Sequence, residues 1–351
     1  MTDRPRVADP ELLADYAALR TDVGARRLPR DFLRVSGPQA LEYLEGQCSQ
    51  ELSGIAVGEG ADSLLLAPDG KIVALIRVSR TGEDELVLDV DAGFGELVQA
   101  RLARFKLRTK FEMEPVPWSC LALRGPNAPV ALRGPNAPVA LRGPNAPAVL
   151  RGPNAPAALR GPNAPAVGGG PGLVLPVSWN GWNGFDLLGP EAAALPEGVR
   201  WCGSEAWEAC RIEAGVPRMG TELNERTIAA EAGLVERTVS FTKGCYTGQE
   251  LVARLDSRGS KVARRLCAIV PGSGMEQEPA SLVGARLTTP DGAKEVGRIT
   301  SAAWCPGVGG PAGLAFVHRS VETGGRVMIE VPPEGGVPGP VPAEVRSLPL
   351  A

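Results

Sequence analysis

Histidine is almost missing from this chain: among 351 residues only His318 occurs. A His-rich zinc site is thereby excluded, as is any Ser-His or Cys-His catalytic pair not built on that one residue. Paired cysteines are missing as well. The seven cysteines, at 48, 120, 202, 210, 245, 267 and 305, form no C-x-x-C and are odd in number, which suits a reducing compartment better than a disulfide framework. No uncharged apolar run approaches the roughly 18 residues of a spanning helix. The N-terminus, with Asp3, Arg4, Arg6 and Asp9, has no apolar signal-peptide core. Positive charge is not in excess either. A net charge of −3 argues against a broadly basic protein that coats nucleic acid. These absences predict a soluble, cytoplasmic protein with no membrane partner.

Glycine and proline are abundant, at 44 and 33 residues. That load favours short strands and many turns over a helical bundle. The length suggests two or three domains. Asp9-Pro10 opens a helix with Leu12, Leu13, Tyr16 and Leu19 on one face. Strands are expected at 32–35, 64–66, 71–78 and 85–90, and helices after Pro38 and over 95–105, an α+β order. Beyond a Gly168-Gly169-Gly170 linker, Asn180-Gly181 marks a hairpin and Ser204–Ile212 a helix. From residue 262 onward, strand-like runs at 265–270, 283–289, 294–302, 312–317 and 325–331 alternate with Gly/Pro/Asp turns. Such spacing without helices predicts a small antiparallel barrel.

Between Ala122 and Ala166 the unit [AV]-Leu-Arg-Gly-Pro-Asn-Ala-Pro-[AV] recurs five times at a period of nine. Two prolines and a glycine in nine residues cannot supply the helix pair of a solenoid. The small side chains on offer bury too little to offset ordering entropy, so a disordered insert is expected. Val35-Ser36-Gly37-Pro38-Gln39-Ala40 shares the grammar of Leu123-Arg124-Gly125-Pro126-Asn127-Ala128. One copy therefore reads as a genuine strand-to-helix junction and the rest as its tandem duplicates. The expected domains are 1–115, 116–262 interrupted by an insert over 122–170, and 263–351.

The segment Phe241–Leu255 carries the clearest chemistry. Thr247 and Glu250 fit a capping box, which would start a helix there and place Cys245 two residues before its cap. A helix N-terminus and the nearby Lys243 both favour thiolate over thiol. Gly244 and Gly248 leave room for the close approach of a ligand. The run Lys243-Gly244-Cys245-Tyr246-Thr247-Gly248-Gln249-Glu250 resembles the K-G-C-[YF]-x-G-Q-E signature of YgfZ-type folate-binding proteins, relatives of the glycine-cleavage T-protein (aminomethyltransferase). Val35–Pro38, Leu44–Gln47, Arg211–Pro217 and Gly297–Ser301 extend the resemblance along most of the chain. Ala229 departs from it, standing where a proline is expected, and the repeat beyond its first unit lies outside it.

This resemblance implies two ferredoxin-like α+β units and a C-terminal β-barrel arranged as a three-part ring around tetrahydrofolate. It makes Glu213 the carboxylate that would accept hydrogen bonds from the pterin edge. Tyr246, Gly248, Gln249 and Glu250 would line the folate site, with Arg254 and Arg265 (or Arg264) serving the glutamate tail. Cys245 and Lys243 are the candidate reactive pair, and Cys245 would ligate a transient iron–sulfur cluster or form a folate-linked adduct. The implied role is an accessory protein for iron–sulfur enzymes, tRNA-modifying ones included. Its partners would be folate and iron–sulfur client or assembly proteins; direct tRNA binding is not expected. A folate-dependent aminomethyltransferase of T-protein type is the alternative. By position Arg26 stands where the resemblance puts a T-protein carboxylate, so true glycine cleavage is not expected.

Overall fold

The computed structural model describes residues 9–132, 172–190, 195–257, 259, 261–272, 278–330 and 340–350. The chain opens with α1 (Pro10–Thr21), whose Asp9 carboxylate accepts the Glu11 amide, as the Asp-Pro start predicts. Then follow β1 (Gly24–Leu28), β2 (Arg30–Ser36), α2 (Ala40–Gln47), β3 (Gly60–Leu66), β4 (Ile72–Arg80), β5 (Glu85–Asp91), α3 (Gly95–Ala103) and β6 (Glu112–Pro115). Next come β7 (Ser119–Arg124), α4 (Ala128–Ala131), β8 (Leu173–Trp179), β9 (Trp182–Gly189), β10 (Arg200–Trp201) and α5 (Ser204–Ala214). A long crossing segment holds α6 (Val235–Thr238) and α7 (Gln249–Ser257). It leads to β11 (Arg264–Pro271), β12 (Arg286–Thr288), β13 (Glu295–Cys305), β14 (Gly310–His318), β15 (Arg326–Glu330) and β16 (Val341–Arg346).

Three bodies result. The first sheet has the order β3-β4-β5-β2-β6, the second β10-β1-β7-β9-β8, and the last six strands close a barrel in the order β11-β14-β13-β12-β15-β16. This is the expected α+β fold with a C-terminal antiparallel barrel. The sheets do not follow the expected boundaries, however. Strand β1 pairs with β7 and β10, so residues 24–28 belong to the second sheet although they precede the first. The crossing segment returns in the other direction: Leu223, Leu234, Val239 and Val252 join the core of the first sheet, alongside Leu64, Ile76 and Leu88.

The repeat's first copy is the β7–α4 junction, and it matches the β2–α2 junction in detail. Gly125 (φ +122°) passes so close to α1 that a Cβ would lie 2.3 Å from the Asp22 carbonyl oxygen. Gly37 (φ +141°) likewise leaves no room beside Phe111. Asn127 fixes the seat by donating its side-chain amide to the Asp22 carboxylate at 2.9 Å. The expected disordered repeat over the later copies lies outside the described residues, except for its opening at Ala131 and Leu132. The Asn180-Gly181 hairpin forms as predicted, with both residues at positive φ.

The two sheets stack through Phe32 and Val87 on one side and Cys120, Leu173, Leu175 and Leu188 on the other. Helix α5 packs Ala209 and Ile212 against Ala303, Cys305 and Leu314 of the barrel. The sheets, α5 and the start of the crossing segment therefore enclose a common space.

Candidate functional site

That space is a cavity of about 800 Å³, within the usual range for small-molecule sites. Its floor comes from charges set singly into apolar strands. Arg77 on β4 grips Asp89 of β5 through two nitrogens, at 2.8 and 3.2 Å, and reaches across to Asp186 of β9 at 2.8 Å. Arg124 on β7 takes the other Asp186 oxygen at 2.8 Å. Arg30 pairs with both Asp89 and Asp91, at 2.5 and 2.8 Å. Asp89 is fully buried, and Arg77, Arg124 and Asp186 nearly so. Burial alone would raise the Asp186 pKa, but the charges and hydrogen bonds of Arg124 and Arg77 outweigh it and hold the carboxyl at about 2. One polar network thus bolts the two sheets together.

The walls add aromatic faces and further cations. Trp179 and Trp207 meet edge to face, 5.2 Å between centroids, and the Arg124 guanidinium lies 4.6 and 5.3 Å from their rings. Glu208 on α5 is held by Arg211 through two nitrogens, at 2.9 and 2.6 Å, and lies 3.4 Å from Arg218. Burial opposes its ionisation, but the Arg211 and Arg218 contacts prevail and keep its pKa below the usual glutamate value. Arg26 donates to the Cys202 carbonyl, and Arg237 stands 3.8 Å from Asp62. Each carboxylate on the wall, Asp62, Asp91, Asp186 and Glu208, therefore has an arginine partner, and no His, Lys, Cys or Tyr lines the cavity among the described residues.

None of the nine residues expected to form the site lines this cavity. Glu213 is buried on the opposite side of α5, where it accepts the Tyr16 hydroxyl at 2.6 Å and the Gly307 amide at 2.9 Å. Burial pushes its pKa up, against the pull of those two bonds. Glu213 thus joins α1, α5 and the barrel. The reason is angular: at about 100° per residue, Glu208 and Glu213 point roughly 140° apart on the helix, so only one of them faces the cavity.

Lys243 also lies outside the cavity lining. Its ammonium is buried against α2, donating to the carbonyls of Glu45 (2.6 Å), Cys48 (2.8 Å) and Gln50 (3.0 Å) and pairing with the Glu45 carboxylate at 3.1 Å. It caps the α2 C-terminus. Tyr246 packs against the first core, and Gln249 accepts the Tyr246 amide through its side chain. Gly248 (φ +83°) is shape-determined: a Cβ there would meet the Ala67 carbonyl oxygen at 2.4 Å. Glu250 and Arg254 are exposed, and Arg265 donates to the Val321 carbonyl on the barrel. Arg264 pairs with Glu231.

Cys245 is the one exposed cysteine; burial pushes the other six thiols above their ordinary pKa. Its loop docks beside Leu66 and Ala67, whereas the cavity touches β3 at Gly60–Asp62. Four residues of strand, roughly 13 Å, separate the two. Neither Cys245 nor Glu213 lines this cavity. No three His, Cys, Asp or Glu side chains are grouped to hold a metal among the described residues, so a resident cluster does not fit. No helix among them is long and apolar enough to cross a membrane.

Residues 264–351 match the family model for the glycine cleavage T-protein C-terminal barrel domain. The chain is 28% identical over 331 residues to an aminomethyltransferase of Corynebacterium jeikeium, covering 89% of this chain and 83% of that one. It is 28% identical over 353 residues to an aminomethyltransferase of Saccharopolyspora erythraea, covering 96% and 89%. The crystal structure of glycine cleavage system aminomethyltransferase T from Bartonella henselae superposes with a TM-score of 0.76 at 22% identity, covering 97% of this chain and 89% of that one, and so shares its fold. The barrel match and the full-length likeness together support the glycine-cleavage T-protein (aminomethyltransferase) superfamily for this chain.

Proposed function

We propose that this chain binds a tetrahydrofolate in the cavity between its sheets and acts as an accessory factor for iron–sulfur proteins rather than as a glycine-cleavage enzyme. The observation that carries the folate reading is the cavity itself: a buried acid, two indoles and an excess of arginine in one space. A pterin is flat, with donor N–H groups along one edge. Asp186 offers a carboxylate to that edge, and Trp179 and Trp207 offer faces to the ring. Arg26, Arg218 and Arg237, the cavity arginines with the loosest partners or none of opposite charge among the described residues, suit the carboxylates of a glutamate tail. The residues present therefore fit the group.

The same lining speaks for binding over proton transfer. A general base works best with a pKa near the working pH, and a carboxyl held at about 2 lies far from it. The alternative, a folate-dependent aminomethyltransferase of T-protein type, is favoured by the names of the full-length relatives. The iron–sulfur role rests on the Cys245 signature and on the exposure of that thiol, which leaves it open to a cluster carried by another protein.

Calorimetric titration with tetrahydrofolate tests the reading. Binding should be at least tenfold weaker in Asp186→Asn and unchanged in Cys245→Ala; no heat at millimolar ligand would remove folate from the account. In a strain lacking the protein, Cys245→Ala should fail to restore iron–sulfur enzyme activity. Full restoration would end the role given to the thiol, and glycine-dependent methylene transfer by the purified chain would favour the alternative.

A further inference from the structure

We infer that the C-terminal half of α3 and the turn after it form a binding surface for anionic membranes, with Leu107 as its inserted tip. The first observation is charge. Arg101, Arg104, Lys106, Arg108 and Lys110 place five cations in ten residues, and no acid occurs between residues 97 and 111, in a chain of net charge −3. Lys106 stands 3.7 Å from Glu112, and Arg101 is tied to Gln47 and to the Leu66 carbonyl. Arg104, Arg108 and Lys110 are exposed and make no ion pair among the described residues.

The second observation is apolar exposure at the same place. Leu107 is 93% exposed, with Leu97 and Phe105 also open to solvent. Leu107 is no frayed end. The turn is closed by the Thr109 amide and hydroxyl, both donating to the Lys106 carbonyl, at 2.9 and 2.6 Å. Its corner holds Leu107 at φ +43°, a left-handed conformation that costs a leucine energy and is sustained only by surrounding structure. The turn thus holds out an apolar side chain in a cation-rich segment.

A lipid surface satisfies both halves. Headgroup phosphates meet the cations, the acyl boundary takes the leucine, and the long Arg and Lys stems lie along the interface. A nucleic acid would use the cations and leave Leu107 against phosphate and water. Surface binding requires no spanning helix, so the lack of a long apolar run in the sequence does not oppose it.

Co-sedimentation of the full chain with vesicles decides the matter. Binding is expected to mixed phosphatidylcholine–phosphatidylglycerol vesicles, not to phosphatidylcholine alone, and to weaken as salt is raised. Since each basic residue near such a surface is worth about fivefold in binding, the combined Arg104→Glu, Arg108→Glu and Lys110→Glu variant should lose sedimentation altogether. Leu107→Ala keeps every charge and should still bind at least fivefold less. Equal recovery with and without anionic lipid overturns the proposal, as does an unchanged Leu107→Ala. Retention of an RNA duplex by the wild type, lost in the charge-reversed variant and without vesicle binding, would assign the surface to nucleic acid instead.

Discussion

The cavity and the Cys245 loop are both rich in polar chemistry, yet they are built in opposite ways. In the cavity, charge is buried and shared: three arginines divide Asp89 and Asp186 between two sheets. In the loop, the one cation, Lys243, is consumed by the end of α2, and the sulfur is left facing solvent. The first arrangement locks its charges to one another across the floor of a cavity. The second leaves a lone thiol at the surface. Fold and reactivity are thus separable here.

Asp186 is where the comparison breaks with the largest effect. Asp186→Asn leaves Arg124 without its buried counter-charge and Arg77 with Asp89 alone, and should cost about 3–5 kcal/mol in urea denaturation. Because its folded pKa is depressed, the Asp186 contribution is full above the ordinary value of 3.8 and is lost as pH falls towards about 2. The gap between wild type and variant should close over that window; a gap independent of pH would show that the charge is not what matters. Lys243→Met comes next, at about 2–3 kcal/mol for the lost charged hydrogen bonds. It should leave folate affinity untouched, since the loop is built apart from the cavity.

Glu213→Gln sharpens the contrast along a single helix. About 1 kcal/mol of stability should go with the weakened clasp, while folate affinity stays unchanged. Its pH dependence has the opposite sign to that of Asp186. A carboxyl with a raised folded pKa stabilises below its ordinary value of 4.5, and that contribution is lost as pH rises through the raised value. The variant should lack this slope; a tenfold loss of folate affinity would instead return Glu213 to the site. Smallest of all, Cys245→Ser should shift stability by less than about 0.5 kcal/mol. Titration with a thiol reagent should find one fast equivalent in the folded wild type, none in the variant, and six more on unfolding.

The architecture was largely legible because its signals are local. Asp9-Pro10, Asn180-Gly181, the Gly-Pro junctions and the evenly spaced C-terminal strands each state their own geometry. Strands β1 and β16 were not legible: Gly24–Leu28 carries two arginines, and Val341–Arg346 carries Pro342, so neither shows apolar alternation. The site was harder still. Its signal was present as lone charges inside apolar strands, Arg77 in β4, Asp89 in β5 and Asp186 in β9. Register places Arg77 opposite Asp89, but only sheet stacking brings Asp186 to them. Likewise the resemblance drew attention to Glu213, whereas the helix turns Glu208 to the cavity.

The most direct measurement is a crystal structure of the chain grown with tetrahydrofolate. The account predicts difference density in the cavity, the pterin edge on Asp186 and the ring against Trp179 and Trp207. Density bridging Glu213 and the Cys245 loop, with the cavity holding only solvent, would contradict it.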